Sequence, residues 1–214
     1  MANALSKWRV DGEWTAWLAR GSTARLFATA LSALCHVRFE PFVCRSPPYC
    51  DGVIRDVEVR DAGAKGSGVF ARRHFAIGEF LLRRRHSRIV TEGELPRLSP
   101  WERDHLCELD FDRFGVLAPP VCYLNHCCDP NAMRHGVRVF AWRPIAAGEE
   151  ITIDCRLNSF DDDRWPCDCG SNGCGGSIVG SFFAMGPDRQ HLLLPHAPAF
   201  IRHEYRRRAV RATR

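Results

Sequence analysis

Tyr123-Leu-Asn-His-Cys-Cys-Asp-Pro-Asn131 packs an amide, an imidazole, two thiols, a carboxylate and a turn-forming proline into one short stretch. Such groups together can hold a metal or a polar ligand. Pro130 steers Asp129 to extended or turn geometry, so the stretch is expected to be a loop rather than a helix. Downstream, Cys167, Cys169 and Cys174 stand in a C-x-C-x4-C pattern among glycines at 170, 173, 175 and 176. Three thiolates can point inward from so tight a turn. Structural zinc takes four ligands, so a fourth must come from elsewhere, and Cys127 and Cys128 are both candidates. Upstream, Lys65-Gly-Ser-Gly-Val-Phe70 offers a glycine pair that permits close backbone approach to a ligand. It has neither the third glycine of a dinucleotide fingerprint nor the Gly-Lys-Ser/Thr of a P-loop.

The elements that must position these groups read as short strands. Val57-Glu-Val59 alternates, and Val69 to Ala71 and Glu79 to Leu82 follow glycine turns. One phrase recurs: Ala71-Arg-Arg-His-Phe-Ala-Ile-Gly-Glu79 is echoed by Ala141-Trp-Arg-Pro-Ile-Ala-Ala-Gly-Glu149. Two similar strand–turn–strand units are therefore expected. Ser99-Pro100-Trp101-Glu102 carries an N-cap serine, a proline at the first helical position and a capping-box glutamate, and that helix is expected to run to about Leu109. Val137 to Trp142 and Glu150 to Asp154 read as strands. Asn158 to Pro166 reads as an acidic, turn-rich approach to the cysteines. A further helix is expected near Ala199 to Val210, and one or two helices within residues 1–50. The fold class is mostly β with short helices.

The 214 residues and 45% apolar content suit a packed domain with appendages. No apolar run approaches the roughly 18 residues of a spanning helix, and the best one, Leu26 to Cys35, lacks the form of an export signal, so the protein reads as soluble and intracellular. Eleven cysteines in such a chain favour metal over disulfides. Cys35, Cys44 and Cys50 lack compact ligand spacing. The net charge of +5 resides in the last segment, where seven arginines face Asp188 and Glu204 between Gly186 and Arg214. A nucleic-acid contact through this Arg-rich tail is the weakest of the partner readings, since terminal charge runs are usually solvated.

The order of the segments resembles a SET domain with its post-SET zinc motif. The likeness rests on Gly66-x-Gly68 with Val69-Phe-Ala71, Asn125-His-Cys-Cys-Asp-Pro-Asn131, Gly148-Glu-Glu-Ile-Thr-Ile-Asp154, and Cys167-x-Cys-Gly-Ser-x-x-Cys174-x-Gly176, and covers about Val57 to Ser177. The resemblance implies a SET-type β-clip fold with knot-like C-terminal threading and the use of S-adenosyl-L-methionine to methylate lysines of a protein or peptide. It implies a cofactor site at Gly66, Gly68, Val69, Phe70, Asn125 and His126, with Trp165 packing on the adenine. It implies zinc at Cys128, Cys167, Cys169 and Cys174, with Cys127 in place of a family serine. The chain then divides into an N-terminal extension (1–52), the SET domain (53–160), a post-SET zinc-binding segment (161–180) and the Arg-rich tail (181–214). Cys155 stands where the family has its catalytic tyrosine, so the expected protein-lysine methyltransferase is weakened. A catalytically inactive module that binds the cofactor or a peptide is the alternative.

Overall fold

A computed structural model describes residues 55–212. The expected N-terminal helices and Cys35, Cys44 and Cys50 lie outside them. Small sheets dominate. One sheet orders β1 (Val57–Asp61), β2 (Ser67–Ala71), β10 (Glu150–Ile153) and β7 (Asn125–His126) as β1-β2-β10-β7. A second orders β3 (Phe80–Arg83), β9 (Arg138–Ala141) and β8 (Ala132–His135) as β3-β9-β8, and a third orders β4 (His86–Thr91), β6 (Arg113–Leu117) and β5 (Leu106–Asp110) as β4-β6-β5. β11 (Phe160–Pro166) and β12 (Ser177–Ser181) form a hairpin. The helices are α1 (Pro100–Asp104), α2 (Pro187–Leu193) and α3 (Ala199–Ala212).

The two copies of the repeated phrase pair with each other, with matching bonds. Ala71 N–H donates to Glu149 O at 2.9 Å, and Ala141 N–H donates to Glu79 O at 2.9 Å. Gly148 N–H reaches Ala71 O at 2.7 Å, and Gly78 N–H reaches Ala141 O at 2.8 Å. At the centre Phe75 and Ile145 exchange backbone bonds of 2.9 and 3.0 Å. Each glutamate also accepts a bond at 2.9 Å from the backbone three residues earlier, Ala76 or Ala146. Gly78 and Gly148 take φ of 79° and 83°, the left-handed region that glycine alone enters freely. This arrangement buries Phe75 and Ile145 completely and joins the sheets around Val69, Leu124 and Ile151.

Two expectations are corrected. The helix at Ser99 begins as read: Ser99 Oγ accepts from Glu102 N–H at 3.2 Å, and Glu102 returns a bond to Ser99 N–H at 2.8 Å. It ends at Asp104 rather than near Leu109, because Leu106, Cys107 and Glu108 pair with Val116, Gly115 and Phe114 on β6. The acidic stretch before the cysteines is strand, not loop, over Phe160–Pro166; Trp165 pairs with Ile178 and Pro166 with Ser177. The cysteine turn is thus the loop of a hairpin. The expected helix near the C-terminus is α3, and it is not merely solvated: Phe200 and Ile201 are buried with Leu193, Phe182 and Met133 in a second apolar cluster. No helix among the described residues is long and apolar enough to cross a membrane.

Candidate functional site

The sheet β1-β2-β10-β7 joins the three motif segments. β10 runs antiparallel to β2, matching Ile151 with Val69, and parallel to β7, matching Thr152 with Asn125 and Ile153 with His126. Asn125 links the strands through its side chain. Its Nδ2 donates to Ser67 O at 3.2 Å and to Glu150 Oε1 at 2.7 Å. The other Glu150 oxygen pairs with Lys65. Gly68 has no room for a side chain, since a Cβ would lie 2.9 Å from both Ala62 Cβ and Glu150 Oε1. Gly66 takes φ 75°, and a Cβ there would meet nothing within 4 Å. An open backbone turn therefore lies at the start of β2, beside Asn125. Val69 is fully buried and Phe70 half-buried under the Arg60 guanidinium, 3.9 Å from its ring centroid.

Asn131 fastens the loop that follows β7. Its Oδ1 accepts from Thr152 N–H at 2.8 Å, and its Nδ2 donates to Glu150 O at 2.7 Å. His126 lies between this loop and Cys155. The Cys155 N–H can only donate, and it does so to His126 Nδ1 at 3.3 Å. The neutral ring then carries its proton on Nε2, which lies 3.4 Å from Cys128 Sγ. Burial pushes the His126 pKa down to about 4, so the ring is neutral at pH 7. Asp154, 4% exposed, is gripped by Arg156 at 2.8 and 2.9 Å and approached by Arg189 at 3.5 Å. Burial alone would raise its carboxyl, but Arg156 and Arg189 hold it below the usual range. Arg189 also donates to Cys128 O at 3.1 Å, tying α2 to the cysteine loop.

The Sγ atoms of Cys128, Cys167, Cys169 and Cys174 all lie within 4.8 Å of one another. Cys128 and Cys167 are 3.8 Å apart, and a tetrahedron with sulfurs at about 2.3 Å from zinc has edges of about 3.8 Å. All eight cysteines among the described residues are free thiols. Burial and the neighbouring sulfurs push the Cys128 thiol up. Burial works against the Cys169 thiolate too, but the Cys128 N–H at 3.4 Å and the Ser171 hydroxyl at 3.2 Å outweigh it and draw its pKa down to about 6. The donor set and spacing suit a divalent metal of zinc's preference. Cys127 turns its thiol to Asp129 O at 3.2 Å instead.

Of the residues singled out in sequence, Gly66, Gly68, Asn125 and His126 share one sheet and its turn, and the four cysteines form one cluster joined to it through His126 and Cys128. Trp165 lies on the hairpin with its ring over Gly180, where a Cβ would come within 2.2 Å of it. Cys155 is buried, and burial pushes its thiol up to about 12, so it stays protonated. Sequence reasoning missed Lys65 with Glu150 and the Asp154 pairs with Arg156 and Arg189. The first lay inside quoted motifs; the Arg189 contact joins residues 35 apart and left no local signal.

Residues 66–156 match the SET domain family. Among relatives, the H3 lysine-4 specific histone-lysine N-methyltransferase of Saccharomyces cerevisiae is 41% identical over 66 residues, 26% of this chain and 6% of that protein. The probable histone-lysine N-methyltransferase set-23 of Caenorhabditis briggsae is 27% identical over 181 residues, 70% of this chain and 73% of its own length. The chain thus spans only a small part of some of its curated relatives and most of others. The methyltransferase domain of human SETMAR, a solved structure, overlays 56% of each chain with a TM-score of 0.46 and 19% identity.

Proposed function

We propose that this chain is an S-adenosylmethionine-dependent protein-lysine N-methyltransferase whose rate is limited by the thiol at position 155. The observation that carries the reading is the Asn125 side chain bridging Ser67 O and Glu150 across a matched SET domain, beside the open turn at Gly66. That turn fits a ligand brought close to the backbone, because Gly66 leaves it open, while Gly68 lets β2 pack against Ala62 and Glu150. In this reading Gly66, Gly68, Val69, Phe70, Asn125 and His126 bind the cofactor, and Trp165 borders its adenine. When bound, the cofactor supplies a methyl group on a sulfonium. The protein's part is to align a neutral lysine amine in line with it and to exclude water. A strong base is not required. Cys155 offers a weaker hydrogen-bond partner than a phenol at the transferring group, which is why slow turnover is expected.

Zinc would be held by Cys128, Cys167, Cys169 and Cys174, fixing the 161–180 hairpin against the loop after β7. His126 Nε2–H directed at Cys128 Sγ would steady that ligand. The relatives named as histone-lysine methyltransferases support a lysine-bearing protein substrate. The buried thiol at 155 favours one alternative, an inactive module that binds the cofactor or a peptide. Calorimetry of the zinc-loaded protein with S-adenosylmethionine tests what the two readings share. Saturable binding supports both, and no heat at millimolar cofactor contradicts both.

A further inference from the structure

One side of α3 is packed and the other is charged. Phe200 and Ile201 are buried in the second apolar cluster, and Tyr205 packs against it. The Arg208 guanidinium lies over the Phe183 ring, 3.8 Å from its centroid. The opposite side faces solvent. His203, Arg206, Arg207, Val210 and Arg211 follow at i, i+3, i+4, i+7 and i+8, so they share one face, and all are exposed. Arg202 stands four residues before Arg206, whose Nε donates to the Arg202 carbonyl at 3.2 Å. The helix contains a single acid, Glu204, which is 5% exposed and accepts from Arg207 at 2.7 Å and Arg208 at 2.8 Å. One carboxylate cannot neutralise both. Among the described residues no acid pairs with Arg202, Arg206 or Arg211.

Five arginines against one acid put +4 on this helix, most of the chain's net +5. A free tail would leave such charges to water, but here a helix fixed by Phe200 and Ile201 presents them in order. The partner follows from what the face lacks. A protein partner needs apolar or aromatic anchors at the centre of its interface, and a membrane surface needs an apolar face to bury. Val210 is the one large apolar side chain that α3 exposes. Arginine grips phosphate through paired N–H groups. A charged face without anchors binds a polyanion by releasing its counterions, whatever the base sequence. We propose that the outer face of α3 is a docking surface for the phosphate backbone of nucleic acid, contacted by Arg202, Arg206, Arg207 and Arg211. The surface lies outside the matched residues 66–156 and does not depend on the methyltransferase reading.

The test titrates the full chain, with its zinc, into fluorescently labelled duplex DNA at a series of sodium chloride concentrations. Each phosphate neutralised contributes about −0.9 to the slope of log K against log salt, so four arginines predict about −3.6, or roughly a hundredfold loss of affinity from about 50 to 200 mM. Arg206→Gln with Arg211→Gln removes two exposed charges that hold no acid, so the fold should be kept and the slope should flatten by about 2. Arg83→Gln with Arg113→Gln removes two exposed arginines from the sheets and should leave the slope as it was. No binding at about 50 mM salt, equal flattening in both double variants, or tighter binding to poly-glutamate or to vesicles of anionic phospholipid would overturn the proposal. Phenylglyoxal modification of the parent's arginines, read by mass spectrometry, gives a second readout that needs no substitution. Bound DNA should shield Arg206 and Arg211, and equal modification with and without DNA refutes the surface.

Discussion

Replacing Cys155 by tyrosine tests the account where sequence and chemistry disagree. The thiol is buried. A phenol ring therefore cannot enter without displacing its neighbours, at a cost of about 1–3 kcal/mol. Against this stands a hydroxyl able to bond the transferring group. A donor aligned in the transition state contributes roughly 10²–10³ in rate in favourable cases. Strained packing should leave a gain of about tenfold to a hundredfold, with the melting temperature lowered by several degrees. The assay is single-turnover methyl transfer at saturating cofactor, run beside calorimetric unfolding of both proteins. A variant that folds, binds cofactor as the parent does and is no faster would refute the claim that the missing hydroxyl limits the rate. Brisk turnover by the parent would refute it as well.

Three further outcomes follow from the geometry. The protein should carry one zinc per chain, and Cys174→Ser should lower metal content and expose the 161–180 hairpin to protease; unchanged stability under chelator would contradict this. Cofactor or its demethylated product should raise the melting temperature of the parent, and Gly68→Ala should weaken that effect, because its Cβ would press within 2.9 Å of Glu150 Oε1 and Ala62 Cβ. Glu108 titrates near 7 in the fold against 4.5 unperturbed, owing first to burial. Its pKa is raised, so the stability it allows is full below about 4.5 and declines as pH rises through about 7. The shift corresponds to at most about 3.5 kcal/mol at 1.4 kcal/mol per unit, reduced by its partial exposure. Glu108→Gln should flatten that decline in denaturant unfolding followed from pH 5 to 9, and an unchanged slope would sink the assignment.

Local chemistry was legible in the sequence wherever it acts over a few residues. The Ser99–Glu102 capping box sets a helix start without outside help. The glycine turns at 78 and 148 announce two similar units, because each backbone takes φ near 80°, which glycine enters freely. The cysteine spacing announces a cluster, and the family likeness distinguishes Cys128 from Cys127. What was not legible depends on partners distant in the chain. Leu106 to Asp110 could continue a helix by spacing, and only β6 draws them into a strand. Phe160–Pro166 reads as an acidic loop until β12 returns beside it. The mutual pairing of the repeated phrases is a tertiary fact that the repetition only permits. The tail drew attention for its arginines, while Phe200 and Ile201, which bury it, carry no charge to notice. Arg134 and Arg84 read as two more surface arginines until burial is known.

The central claim is methyl transfer to lysine by this chain. The direct measurement is incubation of the zinc-loaded protein with methyl-labelled S-adenosylmethionine and a mixed protein extract, followed by mass spectrometry of labelled peptides. Slow labelling confined to lysine side chains, lost in a Gly68→Ala, Asn125→Ala double variant that still folds, is the predicted result. No label on any lysine, from a protein that demonstrably binds the cofactor, would contradict the claim and leave the inactive binding module in its place.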